Sequence, residues 1–376
     1  MDEPLFHAFP DRPGFPRYTI DLVSPEAPCG AGWLANCLIE LGVPAWKQWN
    51  TDDRAHWIDL GDSRFRYGLA GSPWSRVLPS LVDGREFAFR AGEAVRVHHV
   101  WPDAYPRADR TILFVREPID ALYSAWHRQR RLATIAPDLD FPAFCASRFH
   151  HYPVSWADYL LLFLLVWRRA LREFGGTVIR FEDYRRDAAG TLASALRALD
   201  NVVSPAEATR AIEASSLERV RAADQRLVAE RVVEVPLVRG EASGAYLLEC
   251  DAAAIAPLAY RFEDISDWLG YAPTQNEPRV ERAAAFGGWS GEAILRAIRK
   301  TGVRVADDGW LAQAVRSVCN PGSGVGRRVA SFDSDVTTKV SLHRRRRSEL
   351  CIADRARRHP RVVLSPRRRS LQLDPL

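Results

Sequence analysis

Apolar and polar positions along the chain switch between a two-residue and a 3.6-residue period. Tyr18-Thr-Ile-Asp-Leu-Val23 is rich in β-branched and apolar residues and predicts a strand. A turn-forming stretch from Ser24 to Gly32 follows. Trp33, Leu34, Cys37, Leu38 and Leu41 then recur at helical spacing, and Gly42 and Pro44 stop the helix. Further strands are predicted over Ala94–Val100, Arg110–Val115 and Gly176–Phe181, with a helix after Arg116-Glu-Pro-Ile-Asp120 running through Trp126. More helices are predicted near 188–200, 205–224 and 252–269. Strands alternating with helices predict an α/β protein of three layers, a mainly parallel sheet with helices on both faces. The most apolar run, Tyr159 to Trp167, is closed by Arg168 and Arg169. It falls short of the ~20 residues that cross a bilayer, so it predicts a buried helix and no membrane span.

The pattern changes after residue 275. Helices are predicted around Gly291 to Thr301 and Gly309 to Val318, and from 321 onward the chain turns Gly/Ser-rich and then strongly basic, with Arg344 to Arg347 and Arg367 to Arg369. Like-charge blocks without apolar period are usually solvated. The expected organisation is a nucleotide-binding domain over 15–271, a short helical extension over 272–320 and a basic, disordered tail over 321–376.

Composition narrows the class. The 376 residues are 47% hydrophobic and 26% charged, which excludes a collagen-like, coiled-coil or disordered chain. The net charge of +5 suits anionic ligands but is too mild to imply nucleic acid. Almost all the positive charge is arginine, the lysines being Lys47, Lys300 and Lys339. Six dispersed cysteines match neither a metal-binding CxxC nor a disulfide framework, so reduced thiols and a cytoplasmic location are expected. The first fifteen residues, acidic and proline-rich, do not read as a signal peptide.

Three constellations carry chemistry. Cys29-Gly-Ala-Gly32 opens a helix, whose free amides and dipole can hold an anion that approaches over small residues. Arg116 lies just past the end of a strand, where α/β sheets bind ligands, and Ser124 lies eight residues on within the next helix. Arg116 could instead simply pair with Asp120. Val238-Arg239-Gly240 through Gly244 and Tyr246 form a glycine-bracketed loop that could also be a plain surface turn.

Taken in order, these segments resemble the sulfotransferases that use 3′-phosphoadenosine-5′-phosphosulfate (PAPS), a P-loop NTPase-like fold. The family's P-K-S-G-T-T-W-like loop is matched by Pro28-Cys29-Gly30-Ala31-Gly32-Trp33. Its V-x-R-x-x-x-D segment with a serine eight residues on is similar to the stretch that carries Val115, Arg116, Asp120 and Ser124. Phe181-Glu182-Asp183-Tyr184 is similar to its aromatic-E-D-L element, and Val238 to Tyr246 to its R-K-G-x-x-G-D-W loop. Ser155-Trp156-Ala-Asp158 resembles a substrate-side segment.

The resemblance implies that the amides of Cys29, Gly30, Ala31, Gly32 and Trp33 hold the 5′-phosphosulfate of PAPS. It implies that Arg116, Ser124 and Arg239, with the Gly240 backbone, hold the 3′-phosphate, and that Trp33 and Phe181 flank the adenine. The family's catalytic base closes a K-x-H strand, and Arg96-Val97-His98-His99 stands in that place. His98 has the family spacing, and adjacent strand residues face opposite ways, so only one of His98 and His99 can serve. No metal is implied. The acceptor would be a small molecule or carbohydrate, no nucleic acid partner is expected, and a homodimer is left open.

One departure bears on the chemistry. Pro28 stands where the family loop has its lysine, and Glu26 lies two residues upstream. A missing cation at a developing charge costs ~100-fold in rate or more. Arg96 and Arg17 are candidate replacements, and a PAP- or PAPS-binding protein without turnover is the alternative reading. The aromatic segment over 45–92, with Trp46, Trp49, Trp57, Phe65, Tyr67 and Trp74, could line an acceptor pocket or fill a core.

Overall fold

The computed structural model describes residues 14–47, 53–68, 79–82, 84–90, 94–102, 108–197, 203–230, 236, 243–271, 286 and 288–319. The N-terminal half holds β1 (Tyr18–Val23), α1 (Ala31–Glu40), β2 (Ala45–Lys47), β3 (Trp57–Gly61), β4 (Arg64–Tyr67), α2 (Pro79–Val82), β5 (Glu86–Ala88) and β6 (Ala94–His98). Then come β7 (Arg110–Val115), α3 (Pro118–Arg131), α4 (Phe141–Ala146), α5 (Trp156–Phe174), β8 (Thr177–Arg180), α6 (Phe181–Arg186) and α7 (Ala188–Arg197). The chain continues through α8 (Pro205–Ala214), α9 (Leu217–Ala229), α10 (Tyr246–Glu249), α11 (Ala252–Trp268), α12 (Gly291–Lys300) and α13 (Trp310–Cys319).

Five strands form one parallel sheet in the order β2-β6-β1-β7-β8. Register assigns its two faces. Val23 lies level with both His98 and Leu113, so His98 and Phe114 project to opposite sides. On the Phe114 side, Tyr184 of α6 packs on Phe114 and on Trp33 of α1. On the other side His98 meets Trp167 of α5. The expected three-layer α/β architecture is therefore present. Parallel strands covered on both faces carry few polar side chains, and the central residues Ile20, Leu22, Val95, Val97, Leu113 and Phe114 are all fully buried.

Two segments differ from the sequence reading. The aromatic stretch after β2 forms a separate antiparallel sheet, β3-β4-β5, in which Trp57, Phe65, Tyr67 and Phe87 are buried together with Trp46. Phe89, just after β5, packs on Trp46, Trp57 and Phe65, which is the core alternative rather than a pocket wall. Trp49 and Trp74 lie outside the described residues. The helix predicted over 205–224 is two helices, because Ser216 caps α9 by accepting from the Arg219 amide. The preceding Ser215 is buried against Asn36 of α1 at 2.5 Å.

The buried α5 runs over Trp156–Phe174, and no described helix is long and apolar enough to cross a membrane. Helices α12 and α13 pack together, α13 packs on α5, and their apolar faces, including Ile294, Leu295, Ile298, Leu311 and Val315, join the same core as the sheet. The basic stretch after residue 320, expected to be a tail, lies outside the described residues.

Candidate functional site

All five strands of the large sheet run the same way, so their C-terminal ends share one edge. Read along it, the residues at or just after those ends are Lys47, His99, the Ser24–Gly30 loop, Arg116 and Phe181. The chain leaves β1 toward β2 on one side, and β7 takes up the other side of β1. The crevice of such a sheet forms at that reversal.

The turn into α1 is set by Gly30, which caps the helix in the left-handed region at φ 88°. No side chain caps the first turn, and that turn carries no acidic residue, so the positive end of the helix dipole lies at the C-terminal edge of the sheet; within the turn the Trp33 amide donates to the Gly30 carbonyl at 2.9 Å. Ala31 and Gly32 leave the approach open. A β-carbon on residue 30 would lie 2.8 Å from the Phe181 ring, so the ring rests directly on the turn. The Arg116 guanidinium sits over the other part of this assembly, 4.9 Å from the Phe181 centroid, and pairs with Asp120 at 2.6 Å.

Cys29 completes the contact. Burial pushes its thiol up to about 12, against the pull of the nearby Arg116 guanidinium and main chain. It remains a neutral thiol, unsuited to act as a nucleophile. Arg116, Phe181, Cys29 and Gly30 thus meet at one place, with Ser124 two turns further along α3 and half-buried. Trp33 is half-buried and packs edge-on to Tyr184 at 4.6 Å. Arg239 and Gly240 lie outside the described residues.

Acidic groups ring Arg116. Glu117 caps α3 by accepting from the Asp120 amide at 2.7 Å, and Glu182 accepts from the Glu117 amide at 3.2 Å and from the Tyr271 hydroxyl at 2.7 Å. Burial raises the Glu117 carboxyl to about 7, and the neighbouring Asp120 and Glu182 add to the shift. One guanidinium among three carboxyl groups is stable in part because Glu117 can stay protonated near neutrality.

The histidine pair divides as strand alternation requires. His98 is fully buried, with Nε2 3.4 Å from Asp21 Oδ1 and its ring toward Trp167. His99 turns to the loop after β1, where its Nδ1 stands 3.1 Å from Ser24 Oγ and 3.2 Å from the Ser24 carbonyl. Burial and then the charge of Lys47 hold its imidazole down to about 3, so it is a neutral ring at pH 7. Family spacing favours His98 as the base; His98 is held inside on Asp21, and His99 contacts Ser24 in the loop after β1.

Neither candidate replacement cation reaches the turn. Arg96 is buried on Asp21 and stacks on the Tyr18 ring at 4.9 Å. Arg17 precedes β1, about 20 Å from the strand's far end at ~3.3 Å per residue. Residues the sequence reading did not select lie closer. Glu26 is buried between β1 and α1 with His150 and His151 upon it, and the half-buried Arg128 of α3 is lowered to about 10 by desolvation that Glu26 partly offsets. The His-His doublet before Trp156 is visible in the sequence, but nothing in it links those residues to Glu26.

The chain is similar to several solved structures. Retinol dehydratase in complex with androsterone and inactive cofactor PAP is 14% identical, with 70% of this chain and 84% of that chain covered and a TM-score of 0.43. Mouse sulfotransferase SULT7A1 complexed with PAP is 15% identical over 66% of this chain and 84% of that chain, with a TM-score of 0.44. Retinol dehydratase with retinol and PAP gives 14%, 70%, 84% and 0.42. No protein-family model and no curated protein matches the chain.

Proposed function

We propose that this chain binds a doubly phosphorylated adenosine carrier at the β1–α1 turn and transfers the sulfuryl group of PAPS to a hydroxyl or amine of a small-molecule or carbohydrate acceptor. The observation that carries this reading is the convergence of Arg116, Phe181 and Cys29 on Gly30, since separate stretches of chain meet there around an uncapped helix start. The α1 amides of Ala31 and Gly32 would hold the 5′-phosphosulfate, the Trp33 amide being already donated to the Gly30 carbonyl at 2.9 Å. Arg116 and Ser124 would take the 3′-phosphate, a dianion suited to a guanidinium fork and a hydroxyl donor, with Arg239 and the Gly240 backbone as further ligands. The Phe181 and Trp33 rings would bound the adenine. His99, beside the loop after β1, would accept the acceptor's proton as the sulfuryl group leaves the phosphate; burial and Lys47 weaken it as a base in the free protein, so the negative charge of the bound phosphosulfate would have to raise its proton affinity. A cytoplasmic setting, with reduced cysteines, is part of this reading.

Calorimetry with adenosine 3′,5′-bisphosphate tests the pocket. Binding is expected for the intact chain, with a loss of about 10–100-fold in Arg116→Ala, the worth of one charged fork. No binding at millimolar nucleotide would sink the reading. Turnover is read as a mass gain of one SO3 on an acceptor and is expected to be abolished in His99→Ala.

A second reading, nucleotide binding without turnover, is favoured by two observations. Pro28 occupies the place of the family's lysine, and Arg96 is held inside by Asp21. Nucleotide binding with no mass gain across a panel of phenols, sugars and amines would select it.

A further inference from the structure

Glu26 is buried inside the loop that joins β1 to α1, and two imidazoles reach it from the loop between α4 and α5. His150 Nε2 stands 2.8 Å from Glu26 Oε2, and His151 Nε2 stands 3.4 Å from Glu26 Oε1. The three side chains are 0%, 6% and 5% exposed for Glu26, His150 and His151. One donor atom from each lies within 4.8 Å of the others. Glu26 Oε1 and His151 Nε2 face each other without a hydrogen-bond partner among the described residues.

We propose that Glu26, His150 and His151 hold a single first-row divalent cation, zinc by donor chemistry, with one coordination position left open to an oxyanion. Two imidazoles and one carboxylate are the donor set of an open zinc site, and cations that prefer all-oxygen shells are poorly matched. Ligand atoms around tetrahedral zinc stand about 3.3 Å apart, given bonds of about 2.0–2.1 Å, so the Glu26–His151 pair already has the separation required. A small opening of the Glu26–His150 contact admits the ion.

The ligands are also held in place. His150 packs on Phe149 and Trp156, and the His150 and His151 rings meet edge-on at 4.1 Å. Phe149 in turn stacks on Tyr159 at 3.9 Å, and the Tyr159 hydroxyl accepts from the Glu26 amide at 3.1 Å. Such supports fix ligand orientation before the metal arrives.

The charge around the site selects its fourth ligand. One carboxylate against a divalent ion leaves a net positive centre, and Arg128, with Lys47 beyond His99, adds to it. A tetrahedral oxyanion is the class of ligand such a centre takes. Glu26 lies four residues before the Gly30 turn, so on the sulfotransferase reading the ion would supply the positive charge that Pro28 does not.

The test uses the full chain, stripped by chelator and dialysed against cobalt(II), then zinc(II). One equivalent is expected to bind, with a tetrahedral cobalt spectrum that changes on adding sulfate. Glu26→Gln and, separately, His151→Gln are expected to weaken binding at least 10–100-fold, while each variant still unfolds cooperatively in urea. Stoichiometry unchanged in both variants, no bound metal in the intact chain, or a thiolate spectrum would overturn the site. A cobalt spectrum blind to sulfate would overturn the open position. Adenosine bisphosphate binding is measured on the same stripped protein, so loss of the metal proposal and loss of the nucleotide reading remain distinguishable.

Discussion

At the scale of single residues, steric and electrostatic constraints concentrate around the turn into α1. Gly30 holds φ 88°, and any β-carbon there meets the Phe181 ring at 2.8 Å. Gly30→Ala is therefore expected to cost at least about 1–2 kcal/mol from the left-handed backbone alone and to push Phe181 off the turn. Urea unfolding checks the cost, and adding Phe181→Ala should recover the steric part but not the backbone part. Glu117 sets a pH dependence beside Arg116. Its folded carboxyl is raised from 4.5 to about 7, so its contribution to stability is complete below 4.5 and is lost as pH rises toward 7. The same ionisation places a negative charge next to the proposed phosphate site. Bisphosphate binding is expected to weaken between about pH 6.5 and 8, and Glu117→Gln to flatten that slope in calorimetry. His99 works in the opposite sense. With its folded value depressed from 6.5 to about 3, its contribution is present above 6.5 and disappears as pH falls through that window. His99→Gln is expected to reduce the acid loss of stability measured by urea midpoints between pH 6.5 and 3.

At the scale of elements, polar contacts decide where helices begin and what the strands can carry inside. Asp21 and Arg96 sit level on β1 and β6 and pair in the interior, with His98 on the same carboxylate. Asp21→Ala would leave the Arg96 guanidinium buried without that charge, at an expected cost of about 3–5 kcal/mol in a denaturant titration. Helix α8 starts with a complete capping box, Ser204 and Glu207 each satisfying the other's amide. The split between α8 and α9 shows why the continuous apolar period over 205–224 misled. Ser216 offers a better cap than continuation, and Ser215 gains a buried partner only when α1 lies alongside. Likewise β3, β4 and β5 are short and two-sided, and their aromatic residues pair across strands that a single-sequence pattern does not align.

At the scale of the whole molecule, the parallel sheet gathers one edge and the core ties distant segments to it. Five apolar side chains of α12 and α13, Ile294, Leu295, Ile298, Leu311 and Val315, are buried in the core that covers the sheet. Each buried aliphatic is worth about 1.5–3 kcal/mol, comparable in sum to the 5–15 kcal/mol of a typical domain. A chain ending at residue 271 is expected to unfold at a much lower urea midpoint or to aggregate; an unchanged midpoint would mean that 272–319 is an independent appendage. The sequence alone determined the alternation of strands and helices, the glycine turn before α1 and the placing of Arg116 and Ser124 after a strand, because these follow from local period and turn chemistry. Only the tertiary structure decided that Arg116 rests on Phe181, that His99 meets the loop after β1 while His98 meets Asp21, and that Glu26 gathers two histidines 124 and 125 positions away. Those outcomes depend on strand order and on which way each side chain leaves its strand or loop, and neither is fixed until the strands pair.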